Sequence, residues 1–154
     1  MGMAVLAGLE LTAAGAVLAQ PVADLIKTRE GVMETMEGVV TDMKKATEAG
    51  QDLAPFEPRV LSVIERLKPF KSYFPAGSGP ESGVKTCALP GLWAKPEQFD
   101  KGYTNLVAQL EKLASSLRGA DKDDMKAQYV AAGRTCSAGC HGRAVAIAKW
   151  PPCG

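Results

Sequence analysis

Two cysteines and the only histidine of the chain fall within six residues near the C-terminus, in the run Cys136–His141 (CSAGCH). Covalent haem attachment needs two thiols for the vinyl groups and a histidine beside the second thiol to reach the iron. The usual spacing is C-x-x-C-H, whereas three residues separate Cys136 from Cys140 here. Steps of three and four residues both keep side chains on one helix face, so this spacing is compatible with attachment through both thiols.

The same residues allow two other interpretations. A cysteine pair four residues apart can form a local disulfide, or it can belong to a zinc site with Cys87 or Cys153 as a further ligand. The position of the sole histidine directly after Cys140 favours haem. We therefore predict one covalently bound haem c, with Cys136 and Cys140 as thioether residues and His141 as the proximal iron ligand.

Four stretches of the chain carry apolar residues at steps of three and four, the pattern of amphipathic helices. Five prolines fall in the connection between the second and third stretches, which predicts irregular structure there. Asp121 is a candidate N-cap for the last helix. The predicted helices cover 22–49, a short stretch from 57 to 67, 96–118 and 121–150, and the irregular connection covers 69–96.

These elements predict an all-α fold. No stretch alternates apolar and polar residues with a period of two, so we expect no sheet. Four amphipathic helices can bury their apolar faces only against each other, which gives an antiparallel up-down-up-down four-helix bundle. In that topology the connection 69–96 and the end of the fourth helix share one end of the bundle. Cys87 and Cys153 would meet there and are predicted to pair in an oxidising compartment.

Composition sets further limits. The chain has 154 residues, enough for one ordinary domain, and 18 Lys and Arg stand against 17 Asp and Glu. A net charge of +1 argues against a nucleic-acid partner, which needs a clustered basic excess. Hydrophobic residues at 46% and charged residues at 23% are typical of a globular protein.

Residues 1–19 differ from the rest of the chain, because Glu10 is their only charged residue. Val17 and Ala19 satisfy the small-residue rule for signal-peptidase cleavage, although a basic start is missing. We predict a signal peptide (truncated at its start) or an N-terminal apolar segment at 1–19, and the helical bundle at 20–154. No other stretch approaches the ~20 apolar residues of a membrane span, so the mature form is expected to have none.

Three segments, in their order along the chain, resemble the class II c-type cytochromes, the group of cytochrome c′ and cytochrome c556. Leu25–Met33 (LIKTREGVM) is similar to the first-helix signature of that family, and the second segment resembles the loop between its second and third helices. That second segment begins with Tyr73–Gly79 (YFPAGSG) and ends with Leu89–Trp93 (LPGLW). The third segment is the haem motif Cys136–His141. The resemblance implies a four-helix bundle with a C-terminal haem motif.

The resemblance also implies roles for individual residues. Arg29 is the candidate partner of a haem propionate, since a guanidinium suits a carboxylate, and Glu30 is a weaker candidate beside it. Met33 is expected over the distal haem face. It lies about 16 Å from one end of the bundle and His141 about 12 Å, at 1.5 Å per residue, so the two are at similar heights. Met33 either ligates the iron or only fills the pocket.

The predicted function is that of a periplasmic monohaem c-type cytochrome, in one-electron transfer, in binding of a diatomic gas such as NO or CO, or in both. No catalytic residues are predicted, and the chain is not expected to be an enzyme. A redox partner protein is implied but not identified, and the resemblance allows a homodimer. The alternative is a haem-free periplasmic helical bundle that acts as a metal-binding or interaction module.

Overall fold

The computed structural model describes residues 22–139. Its helices are α1 (Val22–Glu48), α2 (Glu57–Leu67), α3 (Gly91–Ala94), α4 (Pro96–Leu117) and α5 (Lys122–Gly139), and this part of the chain contains no strand. The four long helices form the predicted antiparallel bundle, in which each helix contacts the next and α1 returns against α5. The fold class predicted from the sequence is therefore confirmed.

The apolar faces of the four long helices supply the core. Along α1 the buried positions advance by three and four residues, as the periodicity predicted. The most deeply buried side chains include Met43, Val60, Leu67 and Leu117, all with at most 2% of their surface exposed. The helix α5 packs more extensively on α4 than on α1. The bundle is consequently tight on one side and open between α1 and α5.

Local sequence determines where the last two helices begin. Pro96 opens α4, a position where its missing N–H costs no helical hydrogen bond. The carboxylate of Asp121 accepts the N–H groups of Asp123 at 2.9 Å and Asp124 at 3.1 Å, which is the predicted N-cap of α5. The predicted continuation of this helix to residue 150 lies outside the described residues.

The connection 69–96 is less irregular than its composition predicts. It contains 3-10 turns at Phe70–Tyr73 and Pro80–Ser82 and the single turn of α3. Pro80 is the first residue of one element, and Pro69 and Pro90 directly precede the other two, because a ring that fixes φ suits the start of a turn even though it excludes a long helix. The Phe74 ring packs edge-on against Phe70 and Phe99, with centroids 5.0 and 5.2 Å apart, and so fixes the connection on α4.

Two sequence predictions concern the ends of the chain. The proposed signal peptide at 1–19 and the domain boundary at residue 20 lie outside the described residues. Within residues 22–139, no helix combines the length and the apolarity that crossing a membrane requires.

One glycine within α1 and one just past its end provide a matched stability test. Gly38 is exposed within the helix, and an added Cβ would meet no atom within 4 Å. Gly38→Ala should therefore stabilise the protein by about 0.5–1 kcal/mol. Gly50 follows the helix at φ +67°, so Gly50→Ala should destabilise the protein by about 1 kcal/mol. Urea denaturation measures both changes, and shifts of the same sign would contradict these backbone roles.

Candidate haem site

A large cleft opens between α1, α4 and α5, with a volume of ≈ 680 Å³. That volume is within the usual range for cofactor and ligand sites. Its walls are mostly apolar, and the connection 69–96 closes one side with residues 85–88. The apolar lining comprises Met33, Met36, Val40, Leu67, Phe70, Phe74, Ala88, Phe99, Tyr103, Leu106, Leu110 and Ala132.

Four of the residues predicted for the site line this one cleft. Arg29, Glu30 and Met33 approach it from α1, and Cys136 approaches it from α5. Met33 is partly buried and packs against the core. The structure thus brings a thioether and a thiol from two different helices to the same cavity. The other two predicted residues, Cys140 and His141, lie outside the described residues.

Cys136 is a free cysteine in the wall of the cleft. Its burial raises the pKa of the thiol, because an apolar environment disfavours the thiolate. The thiol therefore stays protonated at neutral pH.

Cys87 has a different state, since it is disulfide-bonded. A disulfide sulfur is not the thiolate that zinc requires, which argues against Cys87 as a zinc ligand. The predicted partner Cys153 lies outside the described residues, so that pairing stays a prediction. In the part of the chain that the structure describes, no three His, Cys, Asp or Glu side chains are placed to hold a metal ion.

Arg29 is buried, with 3% of its surface exposed, and both of its Nη atoms donate hydrogen bonds to the connection. Nη1 donates to the Tyr73 carbonyl and to Ser78 Oγ, each at 3.2 Å. Nη2 donates to the Ser78 carbonyl at 2.8 Å and to Thr86 Oγ1 at 2.7 Å. These four bonds match the four hydrogens of the two Nη atoms, so Arg29 ties α1 to residues 73–86.

Aromatic rings complete the surroundings of this guanidinium. Its Cζ lies 4.7 Å from the ring centroid of Phe74 and 5.7 Å from that of Trp93, both within cation–π range. Burial lowers the pKa of Arg29, while the carboxylates of Glu30 and Glu81 act in the opposite direction. The side chain remains a cation at any physiological pH, because arginine starts from so high a pKa.

The role of Arg29 as an anchor was not predicted from the sequence, where this residue was assigned to a haem propionate. A signal was present, since Arg29 falls three residues after Ile26 and three before Val32, within the buried face of α1. A charged residue in such a stripe needs buried partners. The propionate contact is not tested by the structure and stays a prediction.

Charged side chains surround the mouth of the cleft. Glu30, Glu34 and Glu37 line it from α1, and Lys85 lines it from the connection. Only Glu30 was predicted from the sequence, although Glu34 and Glu37 follow at helical spacing on the same face. The cleft thus combines an apolar interior with an acidic edge along α1.

The fold and this cleft are those of a helical bundle that holds a ligand between its helices. The chain matches the family model described as "Cytochrome C'" over residues 24–143, and it therefore belongs to the cytochrome c′ family. A solved structure, a cytochrome c prime from Shewanella frigidimarina, shares the fold with a TM-score of 0.73 and 24% sequence identity. That similarity covers 84% of this chain and 98% of the Shewanella chain. No curated protein sequence matches the chain.

The family implies a haem c cofactor, and the described side chains fit one. A porphyrin is flat and apolar with two carboxylates at one edge. The apolar walls suit its faces, and Lys85 at the mouth is a cation that suits a carboxylate, whereas Glu30, Glu34 and Glu37 would repel one. The thiol of Cys136 lies in the cleft wall, where a thioether bond to the haem could form, and Met33 of α1 lines the same cleft with a thioether sulfur, a soft donor of the kind that can bind iron.

The hydrogen bonds of Arg29 generate a stability prediction. Arg29→Lys keeps the charge but cannot reach four acceptors in the same geometry, so it should destabilise the protein by about 2–4 kcal/mol. Arg59→Lys is the matched control. Arg59 pairs with Asp42 at 2.8 Å, but its side chain is 45% exposed, and an effect of at most about 0.5 kcal/mol is expected. Equal losses in urea denaturation would contradict the anchoring role.

Proposed function

We propose that this chain is a periplasmic cytochrome that carries one haem c in the cleft and transfers single electrons. The observation that carries the proposal is a free thiol, Cys136, in the wall of a large apolar cleft that Met33 also lines. In this proposal Cys136 and Cys140 attach the haem, and His141 is the proximal ligand. The bound haem supplies the one-electron redox chemistry.

The chain's own side chains would bury and orient the group. The aromatic and aliphatic residues of α4 and the connection exclude water from its faces, which lowers the local dielectric constant. Arg29 holds the connection against α1, so residues 85–88 stay in the wall of the cleft. Periplasmic localisation is proposed from the motif of Cys136–His141 and the apolar start of the chain.

Whether Met33 ligates the iron distinguishes two possible functions, electron transfer and gas binding. As an iron ligand it would give a six-coordinate, low-spin electron carrier, which is the branch we favour. The second branch is the binding of a diatomic gas such as NO or CO. The apolar wall that Met36 and Val40 form beside Met33 supports that branch, because it suits a small apolar ligand.

We propose a redox or gas-binding protein and not an enzyme, with a protein redox partner that the residues do not identify. A homodimer is proposed from family membership. The alternative of a haem-free metal-binding or interaction module predicts a protein without a Soret band after expression with the c-type maturation machinery.

Removal of one thiol tests the attachment. Cys136→Ser should leave at most one thioether bond, which shifts the α band of the pyridine haemochrome and lowers the yield of holoprotein. Ser137→Ala, at the next position in the same wall, should leave both unchanged. If native protein made with the maturation machinery lacks a Soret band, or if Cys136→Ser leaves the haemochrome unchanged, the proposal is wrong.

A second pair of variants tests ligation by Met33. Met33→Leu keeps the volume nearly constant but removes the sulfur, so the ferric spectrum should change from low spin to high spin. Met36→Leu, three residues further along α1 in the same cleft, should leave the spectrum low-spin. A low-spin spectrum that persists in Met33→Leu would contradict ligation by Met33. A high-spin ferric spectrum in the unaltered protein would also contradict it and would favour the gas-binding branch.

A further inference from the structure

A second, smaller cavity lies where all four long helices meet, and Val40, one of its lining residues, is partly exposed to solvent. Met43 lines it from α1, Val60 and Val63 from α2, Leu113 from α4 and Tyr129 from α5. The centre of a water-sized molecule can occupy ≈ 20 Å³ within it. By that measure a cavity needs about 10–15 Å³ to hold one water-sized guest. The space therefore accepts one small molecule.

The chemistry of the walls selects an apolar guest. Among the described side chains that line the cavity, only Tyr129 carries an oxygen or nitrogen atom, and its hydroxyl already donates to the Val40 carbonyl at 3.2 Å. A buried water needs two to four polar partners, which these walls do not supply. Burial also raises the pKa of Tyr129, in the same direction as the charge of Glu48, so the hydroxyl stays neutral.

The small cavity adjoins the large cleft. Met36, Val40, Leu110, Ala132 and Gly133 line both of them. Gly133 lies within α5, where a glycine costs about 1 kcal/mol relative to alanine. A Cβ added to Gly133 would meet no atom within 4 Å, so this helix presents open space between the two cavities.

We propose that the small cavity is a docking site for one apolar diatomic gas molecule, held behind the haem cleft and away from the iron. The volume admits one small guest, the apolar walls offer a water few hydrogen-bond partners, and the Ala132–Gly133 segment, which lines both spaces, carries little side-chain bulk. Its use by a gas on the way to the iron rests on the gas-binding branch of the proposed function. The docking site itself does not depend on iron ligation.

Xenon is the probe, because it is apolar, monatomic and visible by anomalous scattering. In crystals of the holoprotein pressurised with xenon, we expect an anomalous peak between Val63 and Gly133. Val63→Ile adds a methyl group to a residue that lines the small cavity and not the cleft, and it should remove the peak. Val130→Ile, at an exposed position of α5, is the control and should retain it.

Absence of the peak in native crystals would overturn the proposal, as would an ordered water in the cavity or a peak that persists in Val63→Ile. If Val63→Ile does not fold, Val60→Ile adds the same group from the preceding buried position of α2. The Soret band of each variant is recorded separately. A missing Soret band refutes the proposed function, whereas a missing xenon peak in protein with a normal Soret band refutes only the docking site.

The kinetics of CO rebinding test whether the gas occupies the small cavity. After flash photolysis of the ferrous CO complex, docked gas should produce a geminate rebinding phase that Val63→Ile removes and Val130→Ile retains. An identical geminate phase in both variants would show that CO does not use this cavity.

Discussion

A guanidinium that leaves water must find hydrogen-bond acceptors within the protein, and much of this structure follows from how Arg29 meets that requirement. Its position on the buried face of α1 is fixed by helical periodicity. The acceptors come from the connection between α2 and α3, which offers two backbone carbonyls and two hydroxyls. The hydrogen bonds of this one charged group therefore fix the irregular connection in a defined position beside α1.

The polar anchor and the aromatic contacts reinforce each other. Ser78 is fully buried, accepts from Arg29 and donates to the Pro75 carbonyl at 2.8 Å. The indole of Trp93 donates to the carbonyls of Phe74 and Pro75, both at 3.1 Å, while Phe74 packs on Arg29 and Phe99. Each group in this cluster limits the freedom of the next, so the wall of the cleft is held by hydrogen bonds and ring packing together.

Helical periodicity was enough to predict the bundle, and the N-cap residue Asp121 was enough to predict the start of α5, because both features depend on local sequence. The thiol of Cys136 was found from its spacing to the histidine. Local sequence patterns could not predict the hydrogen bonds of Arg29, since Tyr73, Ser78 and Thr86 lie 44 to 57 residues away in a segment without periodicity. The turns within that segment were missed for a related reason: proline excludes long helices but favours short first turns.

The charged residues around the cleft would affect the reduction potential of the proposed haem. The buried cation of Arg29 lies in its wall and disfavours the additional positive charge of ferric iron, whereas Glu30, Glu34 and Glu37 along the mouth favour it. Of these three, Glu34 is exposed to solvent, and its field is reduced by water and salt. The field of Arg29 acts through a medium of lower dielectric constant and is reduced less. The same residue that positions the wall of the cleft therefore also acts to raise the reduction potential of a haem bound there.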